Sequence, residues 1–234
     1  MKFGAMTHNV IALAAALLLA GCGNFSYYLQ SVGGQLEIWQ REAPIGQLLE
    51  DPGIAPALRA QLERALRIRN YASRELGLPD NRSYRAYADL ARPFVVWNVF
   101  ATPEFSVEPQ QWCFAVAGCV KYRGYFSEAD ARNQARELAA AGSDVYIGGV
   151  PAYSTIGWFA DPLLNTFIHY PEPELARLLF HELSHQVVYV KDDTVFNESF
   201  ATVVEQAGVA RWLAAAEAAD TAEDAAFGTD RRGD

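Results

Sequence analysis

The stretch PELARLLFHELSHQVVYV, residues 173–190, decides how the chemistry-bearing part of the chain folds. Its apolar residues recur at intervals of three and four, and this spacing predicts an amphipathic helix. His181 and His185 stand four positions apart, so both imidazoles lie on one face, one turn above the other. Glu182 lies about 100° further round the helix. The pattern predicts that the histidines bind one metal ion and that the carboxylate reaches a water molecule beside it.

A third metal ligand is expected in TVFNESFATVV, residues 194–204, which predicts a second helix. If the two helices form an antiparallel hairpin, residues equally far from the turn lie opposite each other, and Glu198 then faces His185. Catalytic zinc usually takes three protein ligands and leaves one position open. We therefore predict that His181, His185 and Glu198 bind Zn²⁺. The alternative is that Glu198 is an acidic residue favoured at a helix N-terminus by the helix dipole.

The remaining segments mix helical and strand patterns. Helical spacing and capping signals predict further helices at 23–43, 56–76 and 127–141. Runs of β-branched and aromatic residues predict short strands at 94–100, 112–125 and 145–147. We therefore predict an α+β fold, in which a small antiparallel sheet packs with helices and the metal ligands lie on the helical hairpin.

Length and composition limit the class of protein. The chain has 234 residues, of which 51% are hydrophobic and 20% are charged, so a folded body is expected rather than disorder. We predict one domain at residues 22–216 and a disordered tail at 217–234, which is dominated by Ala, Asp, Glu, Gly and Arg. The 19 basic and 28 acidic residues give a net charge of −9 without a basic cluster, which argues against a nucleic-acid partner.

The first residues predict an export signal. After a short basic start, residues 10–20 form an apolar run that is only about half as long as a membrane-spanning helix. LAGC at 19–22 resembles the bacterial lipobox, so we predict that residues 1–21 are a cleaved signal peptide and that Cys22 carries a lipid. A lipid-anchored protein of the bacterial cell envelope follows, and Gly23 favours the outer membrane, facing the periplasm. The alternative is an ordinary cleaved signal in which the cysteine has no role.

The two other cysteines are close in sequence. Cys113 and Cys119 are separated by five residues, and Ala117-Gly118 can supply a tight turn between them. Exported proteins usually bridge such a pair, so we predict a disulfide. The alternative is two buried free thiols.

Longer motifs carry a family resemblance. HELSH at 181–185 followed by NESFA at 197–201 resembles the gluzincin metallopeptidases, whose aminopeptidase branch has a similar Asn-Glu-Gly-Phe-Ala around its glutamate ligand. Over about residues 22–212, the chain more closely resembles a bacterial family of aminopeptidase lipoproteins. The motifs that carry this second resemblance are LGLP at 76–79, VWNVF at 96–100, YRGYF at 122–126, GGVPAYST at 148–155 and FNESFAT at 196–202.

The resemblance implies a zinc metallopeptidase with aminopeptidase specificity, acting on peptides or proteins. In such a site Zn²⁺ makes a water molecule more acidic and polarises the scissile carbonyl. Glu182 would take the proton from the water and pass it to the leaving amine. Thr202 and Glu205 lie one and two turns beyond Glu198 on the same helix face, so they are candidates to orient the imidazoles, although either could be a solvated helix position.

The reaction also needs a donor to the developing oxyanion. Tyr153, Tyr189 and Arg123 are the candidates, and each could instead be structural. His169 is predicted to be structural.

Two other functions remain open from the sequence. An endopeptidase would share the metal centre, and only an acidic group placed to bind a free amine would distinguish the two. A catalytically impaired metal-binding scaffold is favoured by a C-terminus that comes sooner than the resemblance leads us to expect. The spacer of 12 residues between His185 and Glu198 is shorter than in thermolysin-like enzymes, so details of their sites do not transfer. Glu182 argues against a scaffold, because a structural metal site has no use for a general base. The oligomeric state is not predicted.

Overall fold

The computed structural model describes residues 26–114, 118–152, 154–155, 157–191 and 193–230. In chain order its elements are α1 (26–41), β1 (Glu42–Pro44), α2 (Ile45–Glu50), α3 (Pro56–Arg74), β2 (Ala86–Ala88), β3 (Val96–Pro103), β4 (Trp112–Phe114), β5 (Gly118–Val120), β6 (Arg123–Tyr125), α4 (Glu128–Ala140), β7 (Ser143–Val150), β8 (Leu163–Leu164), α5 (Glu172–Ser184) and α6 (Thr194–Asp230).

These elements form two compact units, where the composition led us to expect one domain. Unit 1 contains the described residues up to Gln40 together with Val96–Val150, and unit 2 contains Arg41–Val95 and the residues from Pro151 onward. The chain crosses between the units after Gln40, after Val95 and after Val150. The first two crossings lie in helical and apolar segments and give no compositional signal, whereas the third lies between Gly149 and Pro151.

Unit 1 is built on the antiparallel sheet β6-β3-β7. The β3–β7 ladder pairs Val96 with Val150 at one end and Pro103 with Ser143 at the other. α4 packs against this sheet, and its N-terminus is capped by Ser127, whose hydroxyl accepts a hydrogen bond from the Asp130 amide at 3.3 Å. β4 and β5 form a separate antiparallel pair in which Cys113 lies opposite Cys119, and the two are joined by a disulfide.

Helix α1 belongs to unit 1 and packs along one side against the rest of that unit. The amide nitrogen of the Gln30 side chain donates to the carbonyl of Gly124 at 3.2 Å, and the Phe126 amide donates back to its oxygen at 3.1 Å. The Tyr27 ring stacks on Phe114 with centroids 5.0 Å apart. Gly34 lies under the Phe126 ring, where a Cβ would overlap it, so the absence of a side chain permits the close approach.

Unit 2 combines a small mixed sheet with three packed helices. β1 pairs antiparallel with β2, whereas β2 and β8 run parallel, so the antiparallel sheet that we predicted describes unit 1 only. The parallel pair arises because the long segment between β2 and β8 returns the chain in the same direction. α3, α5 and α6 pack together through fully buried side chains, among them Leu62, Ile68, Leu175, Leu179 and Leu183. Burial of each such leucine contributes about 1.5–3 kcal/mol to folding.

Helices α5 and α6 pack against each other along their length. Gly208 on α6 lets Phe180 of α5 approach closely, since a Cβ there would lie only 2.8 Å from the Phe180 ring. Trp212 donates its indole N–H to Glu172 at 2.9 Å. Glu172 lies near the start of α5 while Trp212 lies well along α6, so contacts run in opposite directions along the two helices.

Helix α6 is 37 residues long and continues through Asp230. This differs from the disordered tail that we predicted from Glu217. Alanine and glutamate have high helix propensity, so this segment forms a helix although it offers little apolar surface to a core. Among the helices in the described part of the chain, none has the length and apolarity that crossing a lipid bilayer requires.

Candidate metal centre

Three side chains converge where α5 ends and α6 begins. The Nε2 atoms of His181 and His185 are 3.1 Å apart. One carboxylate oxygen of Glu198 lies 3.4 Å from Nε2 of His181, and the other lies 3.7 Å from Nε2 of His185. One ligand atom from each of the three residues therefore falls within 4.8 Å of the others.

Local structure explains why these atoms meet. The two histidines are one helical turn apart, and His185 is the C-cap residue that follows the last residue of α5, Ser184. The connection to α6 is fixed by Asn197, whose side chain accepts from the Val190 amide and donates to the Val190 carbonyl, both at 2.8 Å. Because Asn197 is buried and neighbours Glu198, this pair of bonds holds the first turn of α6 beside the histidines.

The donor set and its spacing suit a zinc ion. Zinc binds histidine nitrogen and carboxylate oxygen at about 2.0–2.2 Å in tetrahedral geometry, which places neighbouring ligand atoms about 3.3–3.5 Å apart. The two Nε2 atoms are 3.1 Å apart, and each lies 3.4 or 3.7 Å from a different oxygen of Glu198, which is close to that distance. Burial, followed by the nearby His181, lowers the pKa of His185 and so favours the neutral imidazole, the form that offers a lone pair.

Glu205 fixes the orientation of the first histidine. Its carboxylate lies 2.9 Å from Nδ1 of His181 and is mostly buried. In the tautomer in which Nδ1–H donates to Glu205, Nε2 of His181 is left free to bind a metal, and a carboxylate partner raises the basicity of that nitrogen. Thr202, the other residue predicted for this role, has no side-chain hydrogen bond to any part of the chain that the structure describes.

Glu182 is partly buried on α5 beside His181. Burial raises the pKa of its carboxyl group to about 7, an effect that His181 opposes and that Asp161 and Glu198 reinforce. A hydrogen bond from Ser154 favours the ionised form. A carboxyl group with a pKa near neutrality can both accept and release a proton at physiological pH.

Sequence reasoning missed the group that surrounds Glu182. Asp161 is buried and accepts hydrogen bonds from the Thr155 amide at 3.0 Å, the Thr155 hydroxyl at 2.8 Å and the Ser154 hydroxyl at 3.1 Å. The Ser154 hydroxyl also lies within hydrogen-bond reach of Glu182, and with a single proton it donates to one of the two carboxylates at a time. The only sequence signal was the pair Ser154-Thr155 followed by an aspartate after a glycine-containing loop, a pattern typical of local side-chain to backbone bonds.

A buried tyrosine completes this group. Tyr84 has a positive φ of 62°, and its amide donates to the carbonyl of Asp161 at 2.6 Å. Burial raises the pKa of its phenol well above the usual value, and the nearby Glu182 adds to the effect. Ser154 hydrogen-bonds this phenol as well. Tyr84 is therefore a neutral phenol packed beside the predicted general base.

The segment before Tyr84 is held by a buried guanidinium. Arg69 on α3 is fully buried, and it donates to the carbonyls of Ser83 at 2.8 Å, Pro79 at 2.7 Å and Asn81 at 3.2 Å. The Asn81 side chain in turn donates to Gln186 at 2.7 Å. Arg69 therefore fixes a loop that contacts the residue following His185.

The remaining predicted residues have different surroundings. Tyr189 is about half exposed, and its ring lies 6.4 Å from that of His185. Arg123 belongs to unit 1, where its guanidinium lies 4.4 Å from the Tyr27 ring centroid and donates to Gln134. His169 is exposed and bonds the Asn165 carbonyl through Nδ1. Tyr153 and Cys22 lie outside the described residues.

Comparison with known proteins identifies the family. No curated protein and no solved structure matches the chain. Residues 26–233 match the sequence model of the family described as "Putative aminopeptidase". Since the match covers both units and far more than half of the chain, this protein belongs to that aminopeptidase family.

Proposed function

We propose that this protein is a zinc-dependent aminopeptidase of the gluzincin type that hydrolyses peptide bonds at the centre formed by His181, His185 and Glu198. The observation that carries the proposal is the convergence of three ligand atoms within 4.8 Å, with the carboxyl group of Glu182 beside them. Membership of an aminopeptidase family supports the peptidase class independently of this geometry.

The chemistry that Zn²⁺ supplies at such a centre is a more acidic water molecule and a polarised substrate carbonyl. Glu182 takes the proton of the attacking water and delivers it to the leaving amine, for which a carboxyl pKa of about 7 is suited. Ser154 holds the carboxylate of Glu182 in place through its hydrogen bond. Glu205 orients His181 in the tautomer that binds metal.

We also propose that the protein is exported and anchored to the cell envelope through a lipid on Cys22. The support is the short apolar run that ends in LAGC at 19–22. The disulfide between Cys113 and Cys119 agrees with an oxidising compartment. Metabolic labelling with a radioactive fatty acid tests this proposal: the wild-type chain should incorporate label and Cys22→Ser should not.

The function is tested with the wild-type chain, Glu182→Gln and Glu174→Gln. Glu174 lies exposed on the same helix and provides the same charge change away from the centre. All three proteins should contain about one zinc ion per chain. Hydrolysis of a short peptide with a free amino terminus should fall by about 10²–10⁴-fold in Glu182→Gln only.

Two results would contradict the proposal. Zinc present with equal hydrolysis by wild type and Glu182→Gln, or no hydrolysis by either, is incompatible with an enzyme that uses this carboxylate. A peptide with an acetylated amino terminus separates the two peptidase types, because an aminopeptidase leaves it intact and an endopeptidase cleaves it.

A further inference from the structure

Helix α1 has two sides that differ in their surroundings. The first, described above, packs on unit 1 and recurs at helical intervals through Tyr27, Gln30, Gly34 and Ile38. At about 100° per residue these four positions lie within about 80° of one another on the helix surface. They account for how α1 is held in unit 1.

The second side of α1 faces solvent, and its side chains are apolar or aromatic. Leu29, Val32 and Leu36 have exposed fractions of 56%, 58% and 44%. Tyr28 and Trp39 flank them and are 39% and 38% exposed. The five side chains fall within an arc of about 100° centred almost opposite the packed side. They are called the outer apolar face below.

Charge is excluded from this face. The only charged residues of α1 are Glu37 and Arg41, and helical spacing places both of them outside the arc. An amphipathic helix at a protein surface normally presents polar residues to water, so a contiguous apolar face marks a binding surface. Because the face lacks lysine and arginine, its partner is recognised by apolar contact and not by attraction to anionic groups.

The chain before α1 indicates what lies against the face. The predicted lipid-bearing Cys22 stands four positions before Ser26, where the described helix begins. Four extended residues span at most about 14 Å, so α1 would start within that distance of the bilayer surface. The pairing of aliphatic side chains with Tyr28 and Trp39 is typical of helices that lie in the lipid interface.

We propose that the outer apolar face of α1 lies on the lipid surface, with Leu29, Val32 and Leu36 in contact with the acyl boundary. Attachment of this kind is not needed for peptide hydrolysis, so it goes beyond the proposed enzymatic function. The proposal depends on the proposed lipid anchor at Cys22 only because that anchor brings α1 close to the bilayer. The helix then forms a second attachment beside the lipid chain and limits the orientations that unit 1 can adopt on the membrane.

A fluorescent probe on this face tests the proposal. The full chain is isolated from bacterial membranes as Val32→Cys or Val107→Cys, labelled with a thiol-reactive dye whose emission depends on polarity, and reconstituted into phosphatidylcholine vesicles. Val107 is 95% exposed and also lies in unit 1, so it is the matched control. Labelled wild-type chain supplies the background, because the disulfide occupies Cys113 and Cys119.

On vesicles, the probe at position 32 should emit at shorter wavelength and be roughly threefold less accessible to aqueous iodide than the probe at position 107. The difference should persist in high salt, because the contact is apolar. In detergent-free buffer without vesicles, the difference in quenching should be less than twofold, since the exposed fractions of positions 32 and 107 are 58% and 95%.

Three results would overturn the proposal. Equal iodide quenching of the two probes on vesicles shows that the face does not meet lipid. Protection at position 32 that disappears when the vesicle lipid is raised tenfold at constant protein shows that a second copy of the chain covers the face. A chain that does not remain with the vesicles overturns both the face and the anchor, whereas zinc content and peptide hydrolysis measured on the same samples report separately on the proposed function.

Discussion

The two units differ in what they bury. Within the described residues, every buried polar or charged residue belongs to unit 2: Arg69, Ser83, Asp161, Thr166, Ser184, His185 and Asn197. The buried side chains of unit 1 are aliphatic or aromatic, as in Ile38, Trp97, Val99 and Tyr125. Unit 1 instead exposes aliphatic residues on one side of α1.

This difference indicates that unit 2 carries the candidate functional site. A buried polar group costs free energy unless it is hydrogen-bonded, so a concentration of such groups in one unit indicates a requirement other than stability. In unit 2 these groups include Asn197, which holds the helix that carries the proposed ligand Glu198, and Asp161 and Arg69, which hold the surroundings of Glu182. Unit 1 has no comparable cluster of buried polar groups among its described residues, which agrees with the apolar contact to lipid that we propose for α1.

The largest expected effect concerns the buried guanidinium of unit 2. Arg69→Met should lower the free energy of unfolding by about 3 kcal/mol or more, because the fully buried guanidinium is lost and three carbonyls, of which that of Ser83 is buried, lose their donor. Arg67→Met, on an exposed position of the same helix, should change it by less than about 0.5 kcal/mol. Urea unfolding followed by circular dichroism measures both. Equal stabilities would show that buried polar groups of unit 2 are not part of its framework.

The next effect concerns the orientation of His181. Glu205→Gln should weaken zinc binding by about 10–100-fold, because the neutral amide supports the metal-binding tautomer less strongly than the carboxylate does. Glu217→Gln makes the same charge change at an exposed position of α6 and should leave the affinity unchanged. Competition with a fluorescent zinc chelator measures the affinity directly. Indistinguishable affinities would remove Glu205 from the centre.

The smallest effect tests unit 1 with two adjacent glycines. Gly34→Ala should destabilise the packing of α1 by about 2 kcal/mol, because the added Cβ overlaps the Phe126 ring. Gly33→Ala meets no atom within 4 Å and should stabilise the helix by up to about 1 kcal/mol. Neither substitution should alter zinc content, which restricts the effect to unit 1. Hydrogen exchange of the α1 amides distinguishes the two variants, and similar protection in both would mean that α1 is not held at Gly34.

Sequence reasoning could reach the cluster of His181, His185 and Glu198 because its parts are related by helical period. His181 and His185 are neighbours on any helix, and Glu205 follows Glu198 by two turns, so its approach to His181 depends only on two helices packing side by side. The division into two units was not predictable in the same way, since the crossings after Gln40 and Val95 lie within helical and apolar segments. The helical continuation of α6 beyond Glu217 reflects propensity that the compositional argument left out.

The period of an α-helix sets the local arrangement of His181, Glu182 and His185 without reference to the rest of the molecule, so the sequence was enough to predict this arrangement. The tertiary structure alone decided that Ser154, Asp161 and Tyr84 surround Glu182. These residues come from loops distant along the chain, where no repeating geometry relates one side chain to another. Only the packing of unit 2, in which each buried polar group needs a partner, brings them to the same carboxylate.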